Sequence, residues 1–244
     1  MTAGELLDTA QSFPVSSLKQ RLGEGGLVVI APHPDDESLG CGGLIAEACA
    51  EGRPVRVVVV SDGTGSHPAS KAYPKARLRD LRENEAREAV KELGLDSDKD
   101  IEFLRLPDRF VPGDGPIAER AIERIVASAQ EVGAAALFVS WRHDAHCDHQ
   151  ASYRLARAAQ RRLTAVKLFE YTIWGIDLPA TTPVEPAGGF RLDIGRHLSR
   201  KRLAIDAHRS QTTDLIADDP SGFRLTGTDL ARFALDHEIF FEGA

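Results

Sequence analysis

Several features that would point to a particular class of protein are scarce in this chain. It has three cysteines in 244 residues, Cys41, Cys49 and Cys147, and no Cys-x-x-Cys pair, which argues against a disulfide framework and favours a reducing, cytoplasmic compartment. No apolar run approaches the roughly 20 residues of a membrane helix, and Met1 to Gly26 intersperses charged residues among the apolar ones, unlike a signal peptide. The formal net charge of −7 argues against a nucleic-acid partner, which would require a basic surplus.

Nucleotide-binding motifs are missing as well. The one glycine-rich run, Gly40-Cys41-Gly42-Gly43, does not fit GxGxxG, and the chain has no GxxxxGK[ST]. The use of a dinucleotide or of ATP is therefore unsupported.

Strand-like and helix-like segments alternate along most of the chain. The clearest predicted strands are Leu27–Ile30, Val55–Ser61, Ile101–Leu106 and Ala134–Ser140. Alternation of this kind predicts a Rossmann-like three-layer α/β/α fold with a mostly parallel sheet and right-handed crossovers. The length and the hydrophobic content of 42% are typical of one domain over residues 1–244. Nothing in the pattern determines whether the chain forms a homo-oligomer.

The motif His33-Pro34-Asp35-Asp36-Glu37 directly follows the strand Leu27–Ile30. A β-branched run broken by proline predicts a buried strand that ends in a loop, with a helix resuming at Leu39. Open α/β sheets bind ligands at the carboxyl ends of their strands, and this many polar side chains would be costly to bury without a compensating cation. Histidine and aspartate are good zinc ligands. The simpler alternative is that Asp36 or Ser38 only caps the next helix.

A second cluster of the same kind follows the predicted strand Ala134–Ser140. It comprises His143, Asp144, His146, Cys147, Asp148 and His149, and a helix is predicted from Gln150 to Leu163. If the two strands are neighbours in a parallel sheet, their ends can supply two nitrogens and one oxygen to a metal ion and leave one position open, as catalytic zinc requires. The two motifs together favour a catalytic metal centre over helix capping.

The two motifs resemble those of the LmbE-like, or PIG-L-type, metal-dependent de-N-acetylases, which remove acetyl groups from N-acetylglucosamine-type amino sugars. The matching stretches are His33 to Glu37 and His146 to His149, and the resemblance extends over about Leu27 to Gln211. It implies that a metal ion is held by three residues, His33, Asp36 and His149. It also implies that Asp35 is the general base and that His146 is the acid or the group that stabilises the oxyanion. Zn²⁺ is expected, although the same nitrogen and oxygen ligands accept Fe²⁺.

Three further roles are expected around this centre. Asp148 would orient His146, or favour its imidazolium form through its negative charge. The resemblance also implies that Arg82 and Asp108 contact sugar hydroxyls. For Arg82, an exposed helix arginine paired with a nearby glutamate remains the alternative, whereas Asp108 lies at the end of a predicted strand, which favours a functional role.

Other residues near the motifs are open to two interpretations. His67 follows the strand Val55–Ser61 and is either a substrate contact or a surface histidine. Cys147 stands where relatives usually have proline, and we expect a small side chain that points away from the metal. Trp174 and Tyr171 would stack on a sugar ring or pack in the core, and core packing is the first expectation.

The sequence thus predicts a metal-dependent hydrolase that removes an acyl group from the amide nitrogen of a small N-acetylglucosamine-type sugar or its conjugate. Two alternatives stay open. One is a metal hydrolase that acts on a non-sugar N-acyl compound or on a phosphoester. The other is a binding protein in which a metal anchors a ligand without turnover.

Overall fold

The computed structural model describes residues 1–243. Within this range, seven strands form one sheet: β1 (Gly26–Ala31), β2 (Val55–Ser61), β3 (Ile101–Leu106), β4 (Ala134–Ser140), β5 (Lys167–Tyr171), β6 (Gly189–Asp193) and β7 (His237–Glu242). Their order across the sheet is β3-β2-β1-β4-β5-β7-β6. Strands β1 to β5 are parallel, and β7 runs antiparallel to β5 and β6. The predicted mostly parallel sheet is confirmed.

Helices cover both faces of the sheet, as expected for three layers. They are α1 (Ala3–Ala10), α2 (Leu18–Leu22), α3 (Asp36–Ala50), α4 (Lys75–Leu93), α5 (Gly115–Glu131), α6 (Cys147–Gln160), α7 (Leu198–Ala207), α8 (Arg209–Thr212) and α9 (Gly227–Arg232), with 3₁₀ turns at Gly175–Asp177 and Gly195–His197. None of them, over the range described, is long and apolar enough to cross a membrane.

The side chains of β1 show how the two faces are separated. Leu27, Val29 and Ala31 pack with α3, α4 and α7, whereas Val28 and Ile30 pack with α5 and α6. All five are buried, because successive residues of a strand point to opposite faces and both faces of this sheet are covered by helices.

The N-terminal segment packs on the sheet as an amphipathic lead-in. Leu6 and Phe13 join Trp141 and Phe241 in a cluster beside the last strand. Leu18, in α2, is fully buried in the main core.

Two helices begin earlier than the sequence predicts. α3 begins at Asp36 instead of Leu39, and α6 begins at Cys147 instead of Gln150. Acidic side chains are favourable in a first helical turn because they face the positive end of the helix dipole, and the His146 ring accepts a hydrogen bond from the Asp148 N–H at the start of α6. The ligand candidates of both motifs therefore lie in or beside helix N-termini instead of in extended loops.

A glycine permits α3 to approach the sheet closely. A Cβ atom at Gly40 would lie 2.2 Å from Cδ2 of Tyr171, which is far inside van der Waals contact. The Tyr171 ring is itself buried, and its hydroxyl donates to the carbonyl of Ile30 at 2.8 Å. Tyr171 is thus a core residue, as expected.

Candidate active site

Both motifs lie at the same edge of the sheet. β1 and β4 are adjacent and parallel, so their carboxyl ends open side by side, and the direction in which successive strands are added reverses between them. Open α/β sheets bind ligands at such a point. α3 starts just beyond β1, and α6 starts just beyond β4.

Three atoms from the two motifs form a compact triangle. Asp36 Oδ2 lies 3.2 Å from His33 Nδ1 and 3.2 Å from His149 Nε2, and these two nitrogens are 3.3 Å apart. Ligand atoms bound tetrahedrally to zinc at about 2.0–2.1 Å lie roughly 3.3 Å from one another. The spacing of the two nitrogens and one oxygen therefore matches that of three ligands of one divalent cation.

The outer nitrogens of both histidine rings face carboxylates. His149 Nδ1 lies 3.3 Å from Asp144 Oδ1, and His33 Nε2 lies 3.2 Å from Asp148 Oδ2 and 3.4 Å from Asp108 Oδ1. A carboxylate at that nitrogen fixes the orientation and the tautomer of a histidine that binds a metal through its other nitrogen.

Asp144 is a functional candidate to which the sequence alone assigned no role. It is fully buried, and its oxygens accept hydrogen bonds from the backbone N–H groups of His146, Ile173 and Trp174. The available signal was its place in the second motif, because a ligand histidine needs a partner for its second nitrogen.

The charges of the triangle compensate one another. Burial opposes protonation of His149, but the negative charges of Asp36 and Asp144 outweigh it and raise the pKa of His149 to about 9. Burial on its own would raise the pKa of Asp36, but the positive charges of His149 and His33 hold that pKa well below the usual range. Protons on the ring nitrogens and a divalent cation compete for the same lone pairs, so the binding of a cation would release protons.

Asp35 adopts an unusual backbone conformation beside the triangle. Its φ is 141°, a region that residues with a side chain rarely occupy and that tends to occur at functional sites. Its N–H donates to Glu37 Oε2 at 3.0 Å, and its carbonyl accepts from Ser38 and Leu39. These contacts hold the backbone of Asp35 in place.

Arg82 pairs with the Asp35 carboxylate. The distance between Arg82 Nη2 and Asp35 Oδ2 is 3.1 Å, and the guanidinium also donates to the carbonyls of Pro34 and Gly63. Arg82 is only 3% exposed, so the alternative of a surface arginine on α4 does not hold. Burial raises the pKa of Asp35 to about 7, against the lowering effect of the Arg82 charge.

His146 has a defined tautomer when it is neutral. Its Nδ1 accepts the Asp148 N–H at 3.2 Å, so the proton of the neutral ring is on Nε2. Burial and the positive charges of His33 and His149 lower the pKa of His146. The charge of Asp148 favours the imidazolium form as expected, but burial and the two histidines outweigh it. Asp148 contacts the His146 ring through its backbone N–H, whereas its carboxylate lies against His33 and the N–H groups of Arg109 and Val111.

A cavity of about 180 Å³ lies over these groups. Its lining includes His33, Asp35, Asp36, Gly65, Ser66, Arg82, Asp108, Arg109, His146, Trp174, Gln211 and Phe223. Trp174 and Phe223 pack edge to face at its rim, with ring centroids 5.7 Å apart. Trp174 thus packs against the main core, as first expected, and also lines the cavity. Phe223 belongs to the segment between α8 and α9.

His67 does not line the cavity. Its ring is buried under Gly222, and its Nδ1 lies 3.1 Å from Ser66 Oγ. The expected substrate contact is corrected accordingly, because the loop after β2 presents Gly65 and Ser66 to the cavity instead.

Cys147 is exposed at the start of α6. Its Sγ lies 3.6 Å from the carbonyl of Arg109 and 3.8 Å from Asp148 Oδ1, and the residue is not part of the cavity lining. This placement agrees with a small side chain that is not needed as a ligand of the triangle.

The motif residues and their order agree with one protein family. The family described as PIG-L, GlcNAc-PI de-N-acetylase, matches residues 28–160, a stretch that holds both motifs and more than half of the chain. The chain belongs to the PIG-L family.

Two named relatives of this PIG-L chain act on acetylated amino sugars according to their names. A probable N-acetyl-alpha-D-glucosaminyl L-malate deacetylase 2 of Bacillus cereus is 26% identical over 80% of this chain and 87% of its own length. A 2'-N-acetylparomamine deacetylase of Streptomyces fradiae is 27% identical over 64% of this chain and 60% of its own length.

A solved structure supports the same fold. The zinc-inhibited form of teicoplanin deacetylase Orf2 superposes with a TM-score of 0.67 at 17% identity, over 88% of this chain and 97% of that one. At this identity the likeness concerns the fold alone, here the three-layer architecture.

Proposed function

We propose that this chain is a metal-dependent hydrolase that removes the acetyl group from the amide nitrogen of an N-acetylglucosamine-type sugar or its conjugate. One observation carries the proposal. The atoms His33 Nδ1, Asp36 Oδ2 and His149 Nε2 lie 3.2–3.3 Å apart, and the carboxylate of Asp35 lines the same cavity. Membership of the PIG-L family and the names of the relatives support the choice of substrate class.

The donor set suits a catalytic cation. Three protein ligands leave a coordination position for water or substrate, whereas structural zinc sites usually have four protein ligands. A zinc or ferrous ion held by these residues would lower the pKa of water toward about 7 and polarise the acetamide carbonyl. We favour Zn²⁺, and Fe²⁺ is the second candidate because both accept nitrogen and oxygen ligands.

Asp35 is the group that takes a proton from the attacking water. Burial raises its pKa to about 7 before the charge of a cation is counted, so the carboxylate with a cation beside it is ionised and able to accept a proton near neutral pH. Arg82 and the backbone contacts fix the carboxylate at the cavity wall. The protonated carboxyl then holds the proton that the leaving amine requires.

His146 stabilises the oxyanion of the tetrahedral intermediate. Because Nδ1 is occupied by the Asp148 N–H, the neutral ring donates from Nε2. A fixed donor that faces the developing negative charge lowers the barrier without reorganisation. The products are acetate and a free amino sugar.

The size of the cavity limits what is enclosed. A volume of about 180 Å³ is smaller than the roughly 300–1,000 Å³ of sites for drug-sized ligands. We infer that the site encloses the acetylated sugar unit and that the rest of a conjugate extends past Trp174 and Phe223.

The test is amine release from a panel of acetylated amino sugars by protein loaded with Zn²⁺ or with Fe²⁺. Turnover on these sugars, with acetate formed in equal amount, supports the proposal. The same panel includes non-sugar N-acyl compounds and phosphoesters. Activity confined to those compounds would favour the alternative hydrolases, and no turnover in a protein that binds one metal per chain would favour a binding protein.

A further inference from the structure

Two polar atoms of the cavity lining are buried without a hydrogen-bond partner in the described range. They are Oε1 of Gln211 and Nε of Arg82. Gln211 is fully buried and Arg82 nearly so. Buried polar atoms are normally paired, so an unpaired acceptor and an unpaired donor among the residues of one cavity are available to a bound ligand.

The orientation of the Gln211 amide is fixed by its neighbours. Glu85 Oε1 accepts the Ser210 N–H at 2.8 Å, and Glu85 Oε2 accepts the Ser210 hydroxyl at 2.6 Å. A serine hydroxyl has one proton, and here it is given to the carboxylate. Ser210 Oγ can therefore only accept from Gln211, whose Nε2 lies 2.9 Å away. The amide nitrogen faces Ser210, and the amide oxygen remains as the unpaired end.

These three residues form what we call the Glu85 relay: Glu85, Ser210 and Gln211. Glu85 is on α4, three residues after Arg82, so the two side chains project from the same side of that helix. The relay therefore ends in an acceptor on a residue that lines the same cavity as Arg82.

We propose that Gln211 Oε1 accepts a hydrogen bond from a hydroxyl group of the bound sugar, and that the Glu85 relay makes Gln211 a specificity-determining residue. A hydroxyl can donate to Gln211 Oε1 and can at the same time accept from a donor of the cavity such as Arg82 Nε. An acetamide carbonyl would only accept, and a protonated amine would only donate. The inference rests on the proposed function, because it assumes a sugar in this cavity.

The first experiment removes the acceptor. Gln211→Leu keeps the approximate shape of the side chain, and the probe is methyl N-acetyl-α-D-glucosaminide. We expect KM and the calorimetric Kd of the probe to rise by about 5- to 100-fold, since a buried hydroxyl loses its acceptor, with a smaller change in kcat. Gln130→Leu, on the exposed face of α5, is the matched control.

The second experiment identifies the hydroxyl. The wild type is compared on the 3-deoxy, 4-deoxy and 6-deoxy forms of the probe. We expect one of them to bind more weakly than the parent by a factor similar to that of Gln211→Leu, and Gln211→Leu to bind that form and the parent alike.

The third experiment reverses the relay without touching the cavity lining. In Glu85→Gln, the new amide would donate to Ser210 Oγ, the serine hydroxyl would then donate to Gln211 Oε1, and the Gln211 amide would turn its nitrogen outward. We expect the same weakening as in Gln211→Leu and no further loss in the double variant. Unfolding midpoints of both variants report on structural damage, and if Gln211→Leu does not fold, Glu85→Gln and the deoxy series still test the inference.

The inference is overturned if Gln211→Leu binds the probe as tightly as the wild type, or if it still discriminates the deoxy forms as the wild type does. Wild-type affinity in Glu85→Gln would overturn the relay. These results are distinct from failure of the proposed function, which would be seen as wild-type protein that neither binds nor deacetylates any acetylated sugar.

Discussion

The junction between β1 and α3 differs from the junction between β4 and α6, although both deliver groups to one cavity. At the first, Asp35 is held at a φ of 141° and pairs with Arg82. At the second, His146 is an ordinary helix cap with extended backbone, and its ring accepts the Asp148 N–H. The comparison shows that both junctions contribute to the triangle: the strained junction presents the candidate base with two of the three ligand candidates, and the relaxed junction presents one ligand candidate and a neutral donor.

The largest effect should come from removing one corner of the triangle at either junction. We expect about one metal equivalent per chain in the wild type and almost none in His33→Ala or His149→Ala. Turnover should fall by more than about 100-fold, because loss of an outer partner alone costs 10- to 100-fold. Metal analysis and amine release measure both effects, and His237→Ala on β7 is the control. Metal retained in either variant would mean that the two junctions do not share one site.

Asp35→Asn tests the candidate base separately from the ligands of the metal. The amide cannot take a proton, so we expect kcat to fall by about 10²- to 10⁴-fold while metal content is unchanged. The exposed Asp98→Asn serves as the control. An active Asp35→Asn enzyme would remove Asp35 from the role of base.

The two carboxylates that face the outer nitrogens of the ligand histidines should have a smaller effect on turnover, and this effect should arise from weaker metal binding. Asp144→Asn weakens the orientation of His149, and Asp148→Asn weakens that of His33. We expect each to lower metal affinity by about 10- to 100-fold, measured by competition with a chelator. His146→Ala is the contrasting variant and should lower turnover with metal affinity preserved. If His146→Ala loses the metal, His146 is a ligand.

The pH dependence of kcat should report on the strained junction. Asp35 must be ionised to accept a proton, and its pKa is about 7, so kcat should fall tenfold for each pH unit below that value. A bound cation lowers the pKa of Asp35, because its positive charge favours the carboxylate, so the acidic decline in kcat should then lie at or below pH 7. This decline should be absent from the residual activity of Asp35→Asn. An identical decline in that variant would assign it to another group.

The smallest effect is expected at the relaxed junction. Cys147 is exposed and outside the cavity lining, so Cys147→Ser should keep kcat/KM within about twofold and stability within about 0.5 kcal/mol. Steady-state kinetics and thermal unfolding measure these quantities. A larger loss of activity would show that the thiol takes part in the site.

The sequence predicted the parts of the site that are local to a motif. His33, Asp36 and His149 follow strands whose apolar patterns are unambiguous, and the parallel pairing of β1 with β4 brings them together as expected. The burial of Arg82 could not be predicted from the sequence, because a charged residue on a helix is exposed in most contexts. Gln211 and Phe223 come from distant segments that contribute through tertiary packing alone. The sequence also could not show that the Asp148 carboxylate contacts His33, because that contact joins side chains of the two separate motifs.

The contact between Gly40 and Tyr171 has a consequence for how related enzymes can diverge. The Tyr171 ring cannot move away from an added Cβ without breaking the hydrogen bond between its hydroxyl and the Ile30 carbonyl. A larger residue at position 40 would therefore displace α3, and Asp36 with it, away from His149. Substrate range can therefore change through substitutions of residues such as Phe223, which lie at the rim of the cavity. Position 40 has no such freedom, and we expect active descendants of this enzyme to keep glycine there although it never meets the substrate.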